Sequence, residues 1–260
     1  MRVVCDTNIW YKFHTHPSLL NNLDGAKLVL TFNTLNEFAQ SINLLKKPIF
    51  YKNVAKSIVD NHHEAILHNP FHHIKSIDDN EWQPDSKLGH QLLKNVVKLV
   101  DIPDKEIIEF IKKNYGQLEN KISEGHAGLD KSTDDFNTII DEIRSEVKTL
   151  PKKEYRQLNL TNDNQMLVSY MVEENTQSNI SIDFDWSEIE LFTSVMDCYF
   201  KDLALQSGSK IAYNDWIDLF NLVYVNSGMK YWTCEKKWIR IVDESIGSLS
   251  SYLYKPQSVS

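Results

Sequence analysis

MRVVCDTNIW, residues 1–10, is the stretch on which the reading of this chain turns. Val3, Val4 and Cys5 form a short apolar, β-branched run that stops at Asp6; the polar pair Thr7-Asn8 follows, and residues 9–20 suit a helix. A strand that ends on an acid and passes into a helix is the opening of an α/β unit. The pattern repeats at once. KLVLT (27–31) is a second strand of the buried kind, and Leu35, Phe38, Ile42 and Leu45 then recur at helical spacing over 33–45. Strand, helix, strand, helix within 46 residues predicts an α/β fold with a parallel sheet flanked by helices.

Beyond Lys46 the alternation is expected to give way to charged helices over 50–67, 86–100, 103–115, 133–149 and 151–172. Ile107, Ile108 and Ile111, and then Ile139, Ile140, Ile143 and Val147, carry the apolar stripes. The α/β rhythm is expected to return near Asp185. A helix over 186–206 ends at Ser207-Gly208, a second spans 214–226, and strands follow at KYWT (230–233) and WIRIV (238–242) before a closing helix. This predicts a discontinuous α/β domain, 1–46 with 185–260, and a large, mostly α-helical insertion over 47–184.

Composition bounds the alternatives. The 260 residues are 42% hydrophobic with 11 Phe, 11 Tyr and 6 Trp, enough apolar surface to exclude disorder as a whole-chain description. Only 8 Gly and 7 Pro argue against a turn-dense, all-β fold. Cys5, Cys198 and Cys234 are far apart and form no CxxC pair, so they read as buried thiols of a reducing compartment. With no signal peptide after Met1 and no apolar run long enough to cross a bilayer, a soluble, cytoplasmic protein is expected. The net charge of −8 argues mildly against a dedicated high-affinity nucleic-acid binder.

Acids fall where an α/β fold collects ligands. Asp6 ends the first strand, Glu37 lies in the helix after the second, Asp215 and Asp218 share a helix face at i and i+3, and Glu235 follows the KYWT strand. Groups just beyond the carboxyl ends of parallel strands converge on one crevice. Two carboxylates about 4 Å apart repel by roughly 4 kcal/mol at an effective dielectric near 20, so such a set needs protons or a cation. An all-oxygen set suits Mg²⁺ or Mn²⁺ rather than Zn²⁺, and such an ion activates water toward a phosphorus centre. Each acid also has a structural reading. Asp215 favours a helix N-terminus, Thr34 and Glu37 fit a capping box, and Glu235 fits a solvated turn. Asp6, charged and directly after an apolar strand, is the hardest to explain structurally.

Lys236, Lys237 and Arg240 are candidate contacts to a substrate phosphate, whereas Lys46-Lys47 and Lys152-Lys153 with Arg156 read as solvated faces. Five histidines cluster at His62, His63, His68, His72 and His73, but the His63–His68 spacing is not HExxH, and structural or surface roles are expected. Trp216, Trp238 and the KYW strand read as core.

Taken together, MRVVCDTNIW, TFNTLNEF (31–38) and NDWIDLFNLVYVNSGMKYWTCEKKW (214–238) resemble, in order, the motifs of the PIN-domain family over roughly 1–45 and 210–242. The resemblance implies a metal-dependent nuclease, most often acting on RNA, with three or four acids holding Mg²⁺ or Mn²⁺. Carried over by position, Asp6, Glu37 and Asp218 are the core acids and Glu235 the fourth. Asp215 is an alternative or additional ligand, and Asn8 and Thr233 support the ligands by hydrogen bonds. Two departures stand out. The fourth acid is usually Asp where this chain has Glu235, and the long insertion is unlike compact toxins.

The expected activity is therefore hydrolysis of RNA phosphodiester bonds, with single-stranded DNA as a second substrate and a protein regulator as a further partner. The competing expectation is a PIN-like scaffold with a weakened site, acting as a protein or RNA interaction module. A phosphatase with a strand-end Asp nucleophile ranks last, because position 8 is Asn where a second Asp is wanted.

Overall fold

Val3 and Cys5 face one side of the sheet and Val4 the other, and all three are fully buried, so the strand they form needs cover on both faces. The computed structural model supplies it; it describes residues 1–147, 151–157, 160–206, 208–245 and 249–256. In chain order the elements are β1 (Arg2–Cys5), α1 (Thr7–Thr15), β2 (Lys27–Thr31), α2 (Phe32–Ala39), α3 (Asn43–Lys46), α4 (Pro48–Asn61), β3 (Glu64–Ile66), α5 (Pro70–Asp78), α6 (Lys87–Asp101), α7 (Asp104–Val147), α8 (Lys152–Gln157), α9 (Thr161–Thr176), α10 (Glu190–Leu205), α11 (Tyr213–Asn221), β4 (Met229–Trp232) and α12 (Lys236–Glu244).

The sheet is parallel throughout, in the order β3-β2-β1-β4. Val3 registers with Leu28 on one side and Lys230 on the other, so β1 is interior. One apolar core joins Val3, Cys5, Leu28 and Leu30 to Trp10, Phe13, Phe38 and Tyr51; the other joins Val4, Val29 and Tyr231 to Phe192, Phe220 and Trp238. The predicted α/β class and parallel sheet are thus observed. Chain connections leave β1 toward β2 and arrive at β4 from the opposite side. This is a topological switch point, where the carboxyl ends of the strands open a crevice.

The structure corrects several predicted elements. The strand rhythm does not stop at residue 46, because β3 lies inside the stretch expected to be helical over 50–67 and extends the sheet beside β2. WIRIV is helix, not strand. Trp238, Ile241 and Val242 are buried at i, i+3 and i+4, the period of a helix laid on the core. The helices expected over 103–115 and 133–149 are one element, α7, with non-helical backbone at Asn114, next to the predicted end of the first. The stretch 151–172 holds α8 and α9. Ser207 and the side chains of Ile139, Val147, Lys152 and Arg156 lie outside the described residues.

The helical segment is bound into the α/β body. Asn137 of α7 donates to the Ile211 carbonyl at 3.3 Å and accepts from the Ile211 N–H at 2.8 Å, docking α7 beside the start of α11. On the other face α6 packs against the backbone after β3 at Gly89, where an added Cβ would stand 1.9 Å from the Leu67 carbonyl oxygen. Helix propensity alone makes Gly89→Ala stabilising by about 1 kcal/mol. The clash is with backbone, so the substitution is expected instead to lower the urea unfolding midpoint, with a loss of about 1–3 kcal/mol. A raised midpoint would show that α6 does not approach Leu67 this closely.

Candidate functional site

Asp6 occupies the N-cap position of α1, a place where Asp ordinarily accepts from the helix N–H groups, yet it makes no side-chain cap. Its carboxylate turns toward β4. Asp6 Oδ2 accepts from Thr233 Oγ1 at 2.7 Å and from Asn8 Nδ2 at 2.6 Å. Thr233 Oγ1 in turn accepts from the Glu235 N–H at 3.0 Å, so one hydroxyl fixes two acids. Asn8 Nδ2 also lies 3.4 Å from Glu235 Oε1. The supporting positions expected at Asn8 and Thr233 therefore do touch the acids.

Asp218 comes from α11. It is buried, and its Oδ2 accepts from Trp238 Nε1 at 2.9 Å. Asp6, Asp218 and Glu235 each offer an oxygen within 4.8 Å of the others, the only such potential metal-holding group among the described residues. Asp6 and Asp218 are buried and Glu235 exposed, so the cluster has a closed floor and an open mouth. Glu37 stands beside these three and not within them. Its charge acts on Asp6 and Asp218, and its Oε2 is buried without a hydrogen-bond partner. The capping-box reading of Glu37 does not hold, because α2 starts one residue after Thr31, whose hydroxyl caps the Thr34 N–H at 3.2 Å.

Burial and crowding govern the electrostatics. Burial first, then the charges of Glu37 and Glu235, push Asp6 up to about 7 against the hydrogen bond from Thr233. Burial, followed by the charges of Asp6 and Glu235, pushes Asp218 up to about 9. Glu37 is raised by burial, against the nearby Thr7 hydroxyl, and further by the charge of Glu235. Such a set resists ionising together, and a bound cation or retained protons relieves it. The donors are all oxygen, two of the three acids are buried, and Glu37 keeps an unpartnered oxygen alongside: the residues fit a hard divalent ion.

Asp215 stays outside the cluster. Its Oδ2 accepts from Tyr199 Oη at 2.7 Å and from the Ala212 N–H at 3.2 Å, while Oδ1 pairs with Lys237. Of the basic candidates, Arg240 is engaged by Asp202 and Glu244, Lys237 by Asp215, and Lys236 is exposed. Among the histidines, His68 Nε2 lies 3.0 Å from His73 Nδ1, and burial lowers both to about 4. Burial pushes the Cys5 thiol well up, with the Asp6 charge adding to it, which suits an inert thiol. An apolar cavity of about 590 Å³ between Phe38, Tyr51, Leu99 and Phe110 is lined by none of Asp6, Glu37, Asp218 and Glu235.

Two contacts were not anticipated: the Trp238 indole on Asp218, and Tyr199 on Asp215. Trp238 was legible as core, and a buried indole N–H needs an acceptor; which acid supplies it depends on α12 being a helix. Set against protein-family models, curated proteins and solved structures, the chain finds no match.

The raised acids set a pH dependence. In the unfolded chain both titrate near the ordinary Asp value of about 3.9. Between there and their raised values the native state holds more protons, so stability falls as pH rises. His68 and His73 act only below about 6.5, and the raised Cys5 and Cys198 thiols only as pH nears the ordinary Cys value of about 8.5, which leaves the window between to Asp218 and the last of Asp6. Thermal unfolding in chelator is expected to give a midpoint that declines from pH 6.5 to 8. Asp218→Asn is expected to flatten the decline and raise the midpoint at pH 8. A wild-type midpoint that rises over this range would contradict the burial of these charges.

Proposed function

We propose that this chain is a PIN-like endoribonuclease that uses Mg²⁺ or Mn²⁺ to hydrolyse phosphodiester bonds in single-stranded RNA, leaving 5′-phosphate and 3′-hydroxyl ends. The observation that carries the reading is the meeting of Asp6, Asp218 and Glu235, with Glu37 alongside, at the switch point of a parallel sheet. Asp6 and Glu235 stand 229 positions apart in the chain, and the side chains that hold them, Asn8 and Thr233, belong to the same segments. A structural clip would pair acids with bases; this set pairs acids with acids.

Asp6, Asp218 and Glu235 would hold the ion, with Glu37 next to it. When bound, the ion supplies Lewis-acid stabilisation of phosphate charge and a lowered pKa for a coordinated water. The chain's own contribution is order. Thr233 fixes Asp6 and the Glu235 backbone, Trp238 fixes Asp218, and burial excludes bulk water from the floor. Lys236 is exposed beside Glu235.

One observation favours a second reading. Asn8 Nδ2 donates between Asp6 and Glu235, taking some of the place a cation would fill, as suits a weakened site in an interaction scaffold. Isothermal titration of Mn²⁺ separates the two. Binding is expected for wild type and not for Asp6→Asn; no binding by a folded wild-type chain sinks the nuclease reading.

Cleavage of end-labelled single-stranded RNA in Mn²⁺ is expected and should stop in chelator. Asp6→Asn and Asp218→Asn are each expected to lose at least about 100-fold, and Thr233→Val about 10–100-fold, as for groups that orient a metal ligand. Equal rates in the wild type and both Asn variants would remove these residues from the reaction. A single-stranded DNA of the same sequence serves as the second substrate.

A further inference from the structure

We infer that Asp215 is a positioning residue, not a metal ligand, and that together with Tyr199 it fixes the Lys237 ammonium as the site's contact to a backbone phosphate of the bound strand. The inference rests on the nuclease reading and assigns one part of that site.

Both carboxylate oxygens of Asp215 are committed. Oδ1 pairs with Lys237, and Oδ2 accepts from Tyr199 Oη at 2.7 Å and from the Ala212 N–H at 3.2 Å. Turning either oxygen toward the acid cluster would break an ion pair or uncap the first turn of α11. Tyr199 Oη also accepts from Lys237 Nζ at 3.1 Å, which closes a three-membered polar ring of Asp215, Tyr199 and Lys237. The ammonium lies over two aromatic faces, 4.3 Å from the Tyr199 ring centre and 4.8 Å from that of Trp238. Such contacts favour the cation and restrict its long side chain.

An ammonium has three N–H donors. Asp215 takes one and Tyr199 another, which leaves one for an oxygen that is not yet present. The Trp238 indole beneath the ammonium donates from its edge to Asp218, so a single ring separates Lys237 from the acid cluster. The ammonium pairs with Asp215 and with none of Asp6, Asp218 and Glu235. It is well placed for an anion leaning on its rim. The neighbours differ. Lys236 is exposed to solvent, and Arg240 is held by Asp202 and Glu244 away from this ring. Of the three basic candidates, Lys237 alone is pre-oriented with a donor to spare.

Three measurements on the full chain test this: steady-state cleavage of single-stranded RNA in Mn²⁺, RNA affinity by fluorescence anisotropy in Ca²⁺, and Mn²⁺ affinity by calorimetry. Lys237→Met is expected to raise KM and the RNA Kd about tenfold with kcat nearly unchanged, and to reduce the salt slope of binding by about one. Lys237→Arg should restore much of the loss. Asp215→Asn, whose amide oxygen still caps Ala212, is expected to raise KM about three- to fivefold, to leave Mn²⁺ affinity unchanged, and to add nothing in the Lys237→Met background.

A fall in Mn²⁺ affinity in Asp215→Asn would make the residue a ligand and overturn the inference. Tighter RNA binding in Asp215→Asn would make it a competitor for Lys237, with the same consequence. So would additive effects in the double variant. A wild-type chain that neither binds nor cuts RNA removes the functional reading and this inference together. An active wild type with an indistinguishable Asp215→Asn removes the inference alone.

Discussion

The mutual repulsion of carboxylates gathered at one end of the sheet is the constraint around which the rest of this molecule is arranged. Asp6, Asp218 and Glu235 bring oxygens within 4.8 Å of one another, and Glu37 adds its charge from the side. At about 4 Å and an effective dielectric near 20, each like-charged pair costs roughly 4 kcal/mol, before the cost of taking two of the acids out of water. The donors that surround them do not cancel this. Thr233, Asn8 and Trp238 contribute neutral hydrogen bonds, each good for a fraction of a buried charge. The remainder is balanced by retained protons, consistent with the raised Asp6 and Asp218, or by a cation.

A cluster of this kind persists only if its backbone is hard to move, and two apolar cores provide that. β1 is interior, flanked by β2 and β4, with Val3 and Cys5 packed into one core and Val4 into the other. The Asp6 N–H is itself tied to the sheet, donating to the Trp232 carbonyl at 2.9 Å. On the far side of the cluster, Asp218 belongs to a helix whose buried face includes Trp216, Leu219 and Phe220. The acids thus stand on elements that cannot part without exposing core, which is how a fold holds an arrangement unfavourable in itself.

How much of this could be read from residues alone depends on whether a signal was local. Asp6 was legible because an acid directly after a buried β-branched run needs a partner; Asn8 and Thr233 came only from the family resemblance. β3 escaped notice because Glu64-Ala65-Ile66 is three residues long, half-buried at two of them, and carries no β-branched run; only its pairing with β2 makes it a strand. WIRIV misled for the opposite reason. Its β-branched residues suggest a strand, while burial of Trp238, Ile241 and Val242 follows the helical period. By pattern Asp218 is preferred to Asp215, one turn earlier, for its place before the apolar helix residues and its family-like distance to Thr233, and Asp215 stays open as an additional ligand. The structure separates them through Tyr199, a residue on another helix that no motif points to. Charge partners that come from distant elements leave no trace in a local pattern.

Trp238 shows why the core and the candidate site cannot be treated separately. Its indole is fully buried in the core beside Tyr199 and Val242, so its position is set by packing. Its edge donates to Asp218, and its face carries Lys237. A buried indole N–H without an acceptor costs on the order of 1–3 kcal/mol, so the core itself requires an oxygen where Asp218 stands. That demand fixes one carboxylate against the repulsion of the others and, through the opposite contact, sets a cation one ring away. The same side chain that closes the hydrophobic core therefore determines how far apart positive and negative charge stand at the mouth. The spacing between that cation and the carboxylates is a property of packing rather than of any flexible surface group.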